Sequence, residues 1–228
     1  MPRWRPLIPR AQPKQKQRRP KVKLYSAPYA PNPRRVWMFI AEKGVNDIEA
    51  INVDLNNHAH KAPDFISKSP LSRVPALELD DGRCLSESRA ICTYLEGVYP
   101  EPNLMGQDAE ERAFIEMHDR LVEWYLLAPS AQWVRHTHPG LAALEQPQFP
   151  DFGQSQGEKR VAGLQWLEQQ LTNQPYVAGE RFTIADITAF CTIEFSRLMK
   201  FKPGEAGYSA IQAWRDRIAE RPSAKAGQ

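Results

Sequence analysis

Two short runs carry residue types that could hold an amino-acid-like ligand, Val74-Pro75 and Glu87-Ser88. A residue before proline is pushed into extended backbone, so the Val74 N–H and C=O are left for a ligand that lies alongside as an extra strand. A helix beginning near Glu87 presents unpaired N–H groups and the positive end of its dipole, which suits a carboxylate, while the Glu87 side chain suits an ammonium. Both charges of an amino acid find a partner within two residues. The other chemistry-bearing types are less organised. Cys84, Cys92 and Cys191 sit among apolar neighbours without C-x-x-C spacing, as reduced buried thiols do. His58 with His60 and His136 with His138 form close pairs but have no neighbouring carboxylate or cysteine cluster to complete a metal site, so no metal is expected.

The elements that must position these residues read clearly. Pro75 to Leu79 forms a short strand, Asp80, Asp81 and Gly82 a tight turn, and Arg83 to Leu85 the returning strand of a hairpin. Ile91, Tyr94, Leu95 and Val98 then fall at helical spacing behind a polar start at Ser86, Glu87 and Ser88. Upstream, Lys21 to Tyr25 alternates into a strand, and a proline-rich loop leads to a helix over Arg34 to Lys43. Asn32 is placed as its N-cap, Pro33 at its first position and Gly44 just past its end. Glu49 to Val53 is a strand and Pro63 to Lys68 a short helix. After a linker over Glu101 to Gln107 the pattern turns helical. Ala109 to about Arg135 carries apolar stripes on two faces, predicting cover on both sides and a kink or break at Pro129. Thr137 to Gly153 reads as loop and Gly157 to Leu171 as helix. Phe182-Thr183-Ile184-Ala185-Asp186-Ile187 matches a capping box with a hydrophobic staple, so Asp186 is read as structural. Ile211, Trp214 and Ile218 mark a last amphipathic helix.

Val74-Pro75-Ala76-Leu77 followed by Glu87-Ser88-Arg89-Ala90-Ile91 resembles the glutathione-binding half of the glutathione transferases, and the likeness extends from about Lys23 to Ser223. The resemblance implies an α/β thioredoxin-like N-terminal domain over residues 23–101 and an all-helical domain over 108–228. It implies a cis bond before Pro75, Val74 paired with the cysteinyl unit of glutathione, and Glu87 and Ser88 on its γ-glutamyl end. His60 and Arg73 correspond to positions that meet the glycine carboxylate, for which arginine is geometrically suited. Ser69 and Ser72 depart from the Asn and Gly common before this proline.

Glutathione chemistry requires a thiolate, and a free thiol of pKa about 8.5 is mostly protonated at neutral pH. A donor at the start of the first helix would stabilise the anion. Relatives use tyrosine, serine or cysteine there. In Ala30-Pro31-Asn32-Pro33-Arg34-Arg35-Val36 the serine position is Ala30, while the segment also resembles a Thr-Pro-Asn pattern that keeps Asn32. Asn32 is therefore the expected sulfur-activating residue, its amide oxygen capping the helix and its NH₂ facing sulfur. Ser26 and Tyr29 are alternative hydroxyls. The electrophile pocket is expected at Tyr29, Met117, Arg120 and Trp124, between the domains, although core packing also explains Met117 and Trp124.

Composition sets the remaining expectations. The 228 residues are 42% apolar, which suffices for a substantial core, and no run approaches the roughly 18 apolar residues of a membrane span. Residues 1–23 hold nine of the 30 basic residues and no acid, leaving 21 basic against 27 acidic and a net charge of −6 elsewhere. Residues 1–22 are expected to be a disordered basic tail, without the apolar core of a signal peptide, and a nucleic-acid partner is not expected. The reading is a cytoplasmic, homodimeric detoxification enzyme that conjugates glutathione to a hydrophobic electrophile. Two alternatives stand beside it: a glutathione-dependent disulfide or peroxide reductase, and a non-catalytic glutathione-binding scaffold with the same fold.

Overall fold

The computed structural model describes residues 21–228. The basic tail expected over residues 1–22 lies, except for its last two residues, outside them. Strand β1 (Lys23–Ser26) is followed by α1 (Pro31–Glu42), β2 (Glu49–Asn52), the short α2 (Pro63–Ile66), the hairpin β3 (Ala76–Glu78) and β4 (Cys84–Ser86), and α3 (Ser88–Val98). The sheet order is β2-β1-β3-β4, with β1 parallel to β2 and β3 antiparallel to both β1 and β4. Leu24 and Leu77 are cross-strand partners at the sheet centre and both are fully buried. The second half is helical: α4 (Ala109–Val122), a π-helical turn over Glu123–Leu127, α5 (Ala128–Thr137), α6 (Pro150–Asn173), α7 (Ile184–Ser196) and α8 (Ser209–Ala219). The observed fold is thus a small mixed sheet with its helices, followed by a helical domain. No helix among the described residues is long and apolar enough to cross a membrane.

α1 begins at Pro31, three residues before the expected start. Ala30, not Asn32, is the N-cap, with extended backbone (φ −72°, ψ 133°) as a residue before proline prefers. Pro31 takes N1, where its missing N–H costs nothing. α6 likewise starts at Pro150, inside the expected loop. Gly153, which read as loop, and Gly157, at the expected helix start, are there because α6 crosses α5 closely. A Cβ on Gly153 would stand 2.7 Å from Thr137 Cγ2, and one on Gly157 2.8 Å from Trp133 Cδ1.

The helix expected over residues 109–135 does not break at Pro129. Instead it widens into the π-helical turn just before it, which accommodates a residue that cannot donate to the carbonyl four positions back. Within the chain itself only one of the two apolar faces is covered. Ile115, Val122 and Leu126 are buried, but Phe114, Met117, Trp124 and Tyr125 are exposed, because α6 and α7 pack against only one side of α4 and the turn. Asp186, at the start of α7, accepts from the main-chain N–H of Thr183 (2.9 Å) and of Val177 (3.0 Å) and from Trp214 Nε1 (3.0 Å). Its role is to tie α7, α8 and the preceding loop together.

Candidate functional site

Pro31 and Pro33 remove two of the first-turn donors of α1, and the Arg34 N–H is already bonded to Ala30 O at 3.1 Å. The Asn32 main-chain N–H is the donor that remains at the positive end of this helix. Its side-chain oxygen does not cap the helix, as expected from the sequence, but accepts from Arg35 Nη1 at 3.3 Å. The Asn32 NH₂ is therefore left as a second donor at the same helix end.

α3 is capped by Glu87, whose backbone (φ 67°, ψ 114°) lies where side chains rarely go and whose side chain makes no cap hydrogen bond. The N–H groups of Ser88, Arg89 and Ala90 precede the first helical bond, from the Ile91 N–H to Glu87 O at 3.0 Å. Three donors and a carboxylate thus meet at one helix start. Backbone strain of this kind costs of order 1–3 kcal/mol and persists where something over-determines it. Ser88 is buried, and its hydroxyl accepts from Arg35 Nη1 at 3.0 Å, leaving its proton to donate elsewhere.

Arg35 is the residue that the sequence reading missed. Its guanidinium is buried, and it also donates to Glu123 Oε1 (3.0 Å) and Thr188 Oγ1 (3.0 Å). Asp119, fully buried on α4, lies 3.9 Å from Arg35 Nη2, 3.0 Å from Arg89 Nε and 2.7 Å from Arg120 Nη2, and accepts from Thr188 Oγ1 at 2.5 Å. Arg89 pairs with Glu116, and Arg120 with Glu123. One signal could have exposed Arg35: it falls four residues before Phe39, on the apolar face of α1, where a surface arginine would not be placed.

Val74 is half-buried, its bond to Pro75 is cis as the resemblance implied, and its N–H and C=O make no main-chain hydrogen bond among the described residues. The loop before it is shaped by the two serines that depart from the family pattern. Ser69 Oγ donates to Arg73 O at 2.8 Å and accepts from the Arg73 N–H at 3.3 Å, while Ser72 adopts the left-handed φ of 54° that glycine favours. The Arg73 side chain is exposed. His60 is buried, with Nδ1 unpartnered among the described residues; burial first, then Lys61, His58 and Arg73, holds its ring below the ordinary histidine range.

Two clefts border these elements. One of about 740 Å³ is lined by Glu87, Arg89, Thr93, Glu116, Arg120 and Trp124 among others. The other, of about 440 Å³, is lined by Tyr29, Pro31, Arg34, Phe195, Leu198 and Gln228 among others. The expected electrophile lining is therefore divided: Arg120 and Trp124 share a cleft with Glu87, Tyr29 opens the second cleft, and Met117 is exposed and lines neither. Tyr29 points largely into solvent, at 77% exposure. Among the described residues no group of three or more His, Cys, Asp or Glu side chains could hold a metal ion. His136 Nδ1 accepts from the Phe149 N–H and His138 Nδ1 from the Gly140 N–H. Burial pushes the Cys92 and Cys191 thiols up to about 12, so neither is a nucleophile.

Residues 20–97 match the model of the glutathione S-transferase N-terminal domain, and residues 154–222 that of the C-terminal domain. Glutathione S-transferase 2 of Saccharomyces cerevisiae is 34% identical over 207 residues, covering 90% of this chain and 88% of the relative. The crystal structure of Gtt2 from the same yeast superposes with a TM-score of 0.84 at 34% identity, over 89% of this chain and 98% of that one. A glutathione S-transferase domain-containing protein of Marinobacter aquaeolei superposes with a TM-score of 0.83 at 38% identity, over 88% and 98%.

Proposed function

The chain belongs to the glutathione S-transferase family, and from that premise we propose that it conjugates the thiolate of glutathione to a hydrophobic electrophile. Glutathione lies along the open main chain of Val74, which supplies one donor and one acceptor to the cysteinyl unit. Its γ-glutamyl ammonium meets Glu87, and its α-carboxylate meets the Ser88 hydroxyl and the free N–H groups that open α3. Arg73 and His60 serve the glycine carboxylate at the other end. Its sulfur reaches the start of α1, where the main-chain N–H and NH₂ of Asn32 stabilise the anion. The thiolate attacks an electrophilic carbon, the new C–S bond forms as the leaving group departs with the electron pair, and the thiol proton passes to solvent.

The observation that carries this reading is that one guanidinium nitrogen hydrogen-bonds to both ends of the groove. Arg35 Nη1 shares its two protons among Ser88 Oγ (3.0 Å), Asn32 Oδ1 (3.3 Å) and Glu123 Oε1 (3.0 Å), so the sulfur end and the γ-glutamyl end of the binding groove are held in register by a single buried group. The cleft that contains Glu87, Arg120 and Trp124 is assigned to the γ-glutamyl end, and the cleft beside Tyr29 and Pro31 to the electrophile. Met117 takes no part; with Phe114 it is assigned to the surface that a second copy covers in a cytoplasmic homodimer, which sedimentation at micromolar concentration would report as twice the chain mass.

A second reading rests on Ala30, which by the resemblance stands at the hydroxyl position of the serine-type pattern: a protein that binds glutathione without activating it. Titrating the protein with glutathione while following thiolate absorbance separates the two. A bound thiol that ionises below its free value, with turnover of chlorodinitrobenzene, supports the transferase. Tight binding with an unshifted thiol supports the second reading, and turnover of a small disulfide without conjugation points to a reductase.

A further inference from the structure

The segment after α8 runs back along the whole of α1. Near the end of α1, Arg221 donates to both oxygens of Glu42 (2.9 and 2.7 Å), and Ser223 Oγ donates to the same carboxylate. About two turns back along α1, Arg34 Nη2, buried, donates to Ala224 O at 2.8 Å. At the start of α1, Gly227 packs so tightly that an added Cβ would stand 3.0 Å from Trp37 Cδ1 and 3.1 Å from Arg34 Cα, with φ at +73°. Its carbonyl accepts from the Tyr29 N–H at 3.3 Å. Tyr29 itself has φ 61°, a conformation that a non-glycine residue holds only when its surroundings impose it. Gln228 then forms part of the wall of the cleft that also contains Tyr29 and Pro31.

We propose that residues 222–228 act as a strap that positions the loop between β1 and α1 and, through Gln228, sets which electrophiles fit beside the sulfur. Contacts from Arg221, Ser223, Ala224 and Gly227 pin the segment to Glu42, Arg34 and Trp37 of α1 and to Tyr29 just before it, so the strap and the helix form one unit. The contact at Tyr29 is the one with consequences for the site. It holds the loop that delivers Ala30, Pro31 and Asn32, and it uses a main-chain acceptor that no side-chain substitution in the loop can replace. The strap is a positioning element: it touches the loop and the cleft wall, and it does not touch the Val74 and Glu87 ends of the groove. The inference rests on the assignment of this cleft to the electrophile, but its first half does not.

The test uses two variants of the full chain. Gly227→Val cannot keep a φ of +73° or clear Trp37, so the strap should lift from the start of α1. Amide exchange at residues 29–32 should then quicken at least about tenfold, while α3 and α4 keep their protection. Gln228→Trp, on the exposed rim, should leave that protection unchanged and narrow the cleft. The ratio of kcat/KM for chlorodinitrobenzene to that for the bulkier naphthylmethyl chloride should rise at least about fivefold, with glutathione Kd within about threefold of the parent. Unchanged loop exchange in Gly227→Val overturns the positioning role, and an unchanged ratio in Gln228→Trp overturns the selectivity role. Should the parent protein fail to bind glutathione at all, the transferase reading fails by itself, and the exchange measurement still decides the strap.

Discussion

Asn32 and Glu87 can be separated by variants that move stability and function differently. A hydrogen bond to an anion contributes about 1.5–3 kcal/mol, equal to roughly one to two pKa units. Asn32→Ala keeps the main-chain donor and loses the NH₂, so the bound thiol should titrate about one unit higher and turnover at neutral pH should fall about tenfold. Asn32→Asp, of the same shape but negative, should raise the thiol pKa further; a bound thiol that ionises as readily in both variants as in the parent removes Asn32 from the mechanism. At Glu87 the backbone itself is informative. Glu87→Gly suits a φ of 67° and should raise thermal stability by about 1 kcal/mol while weakening glutathione binding about tenfold or more. Loss of both stability and affinity would show that the strained backbone is not held for the ligand. The Glu87-Ser88 pair was legible because a helix start announces itself through its polar residues. Arg35 was legible only in part: its place four residues before Phe39 on the apolar face of α1 marks it as buried, but nothing local names its partners, Ser88, Glu123 and Thr188, which lie on three other elements.

At the scale of elements, the sequence errors share a cause: proline and glycine read as breakers where they serve packing. Pro129 leaves the Tyr125 carbonyl without its helical donor, and α6 approaches that point through Gly163. A Cβ there would stand 2.3 Å from Tyr125 O. Gly163→Ala, which on an exposed helix would stabilise by up to about 1 kcal/mol, should instead cost about 1–3 kcal/mol through overpacking. Urea unfolding gives the sign directly, and a stabilised variant would mean that α6 does not approach this closely. The strap carries a pH signature. Burial pushes the Glu42 carboxyl up, but hydrogen bonds from Arg221 and Ser223 outweigh it and hold the group below the ordinary 4.5. Its folded pKa is depressed, so its contribution is present above the unfolded value and is lost as pH falls through the folded one. Acidification below about 4.5 should therefore loosen residues 222–228, seen as amide exchange that quickens there, and Glu42→Gln should abolish that pH dependence.

For the molecule as a whole, the sheet half and the helical half are not separable bodies. The apolar core runs from Val22 and Leu24 through Phe39 and Ile91 to Phe190 and Trp214 without interruption. Within it, Arg35 of α1, Arg89 of α3, Asp119 of α4 and Thr188 of α7 bring charge and hydrogen bonds to the same junction. The network can serve stability, site geometry or both, and paired substitutions tell these apart. Asp119→Ala leaves Arg35 buried with Glu123 as its remaining carboxylate and should cost about 3–5 kcal/mol, as broken buried pairs do. Replacing both partners, Arg35→Met with Asp119→Leu, removes the unpaired Arg35 charge while Arg89 and Arg120 keep Glu116 and Glu123, and should recover part of that loss, since apolar substitutes for buried pairs are often neutral. Glutathione affinity should not recover with it, because Asn32 Oδ1 and Ser88 Oγ lose their common donor. Calorimetric unfolding and glutathione titration on the same samples provide the two readouts. If affinity returns together with stability, Arg35 is a structural residue only, and the register between the two ends of the groove is set by the backbone alone.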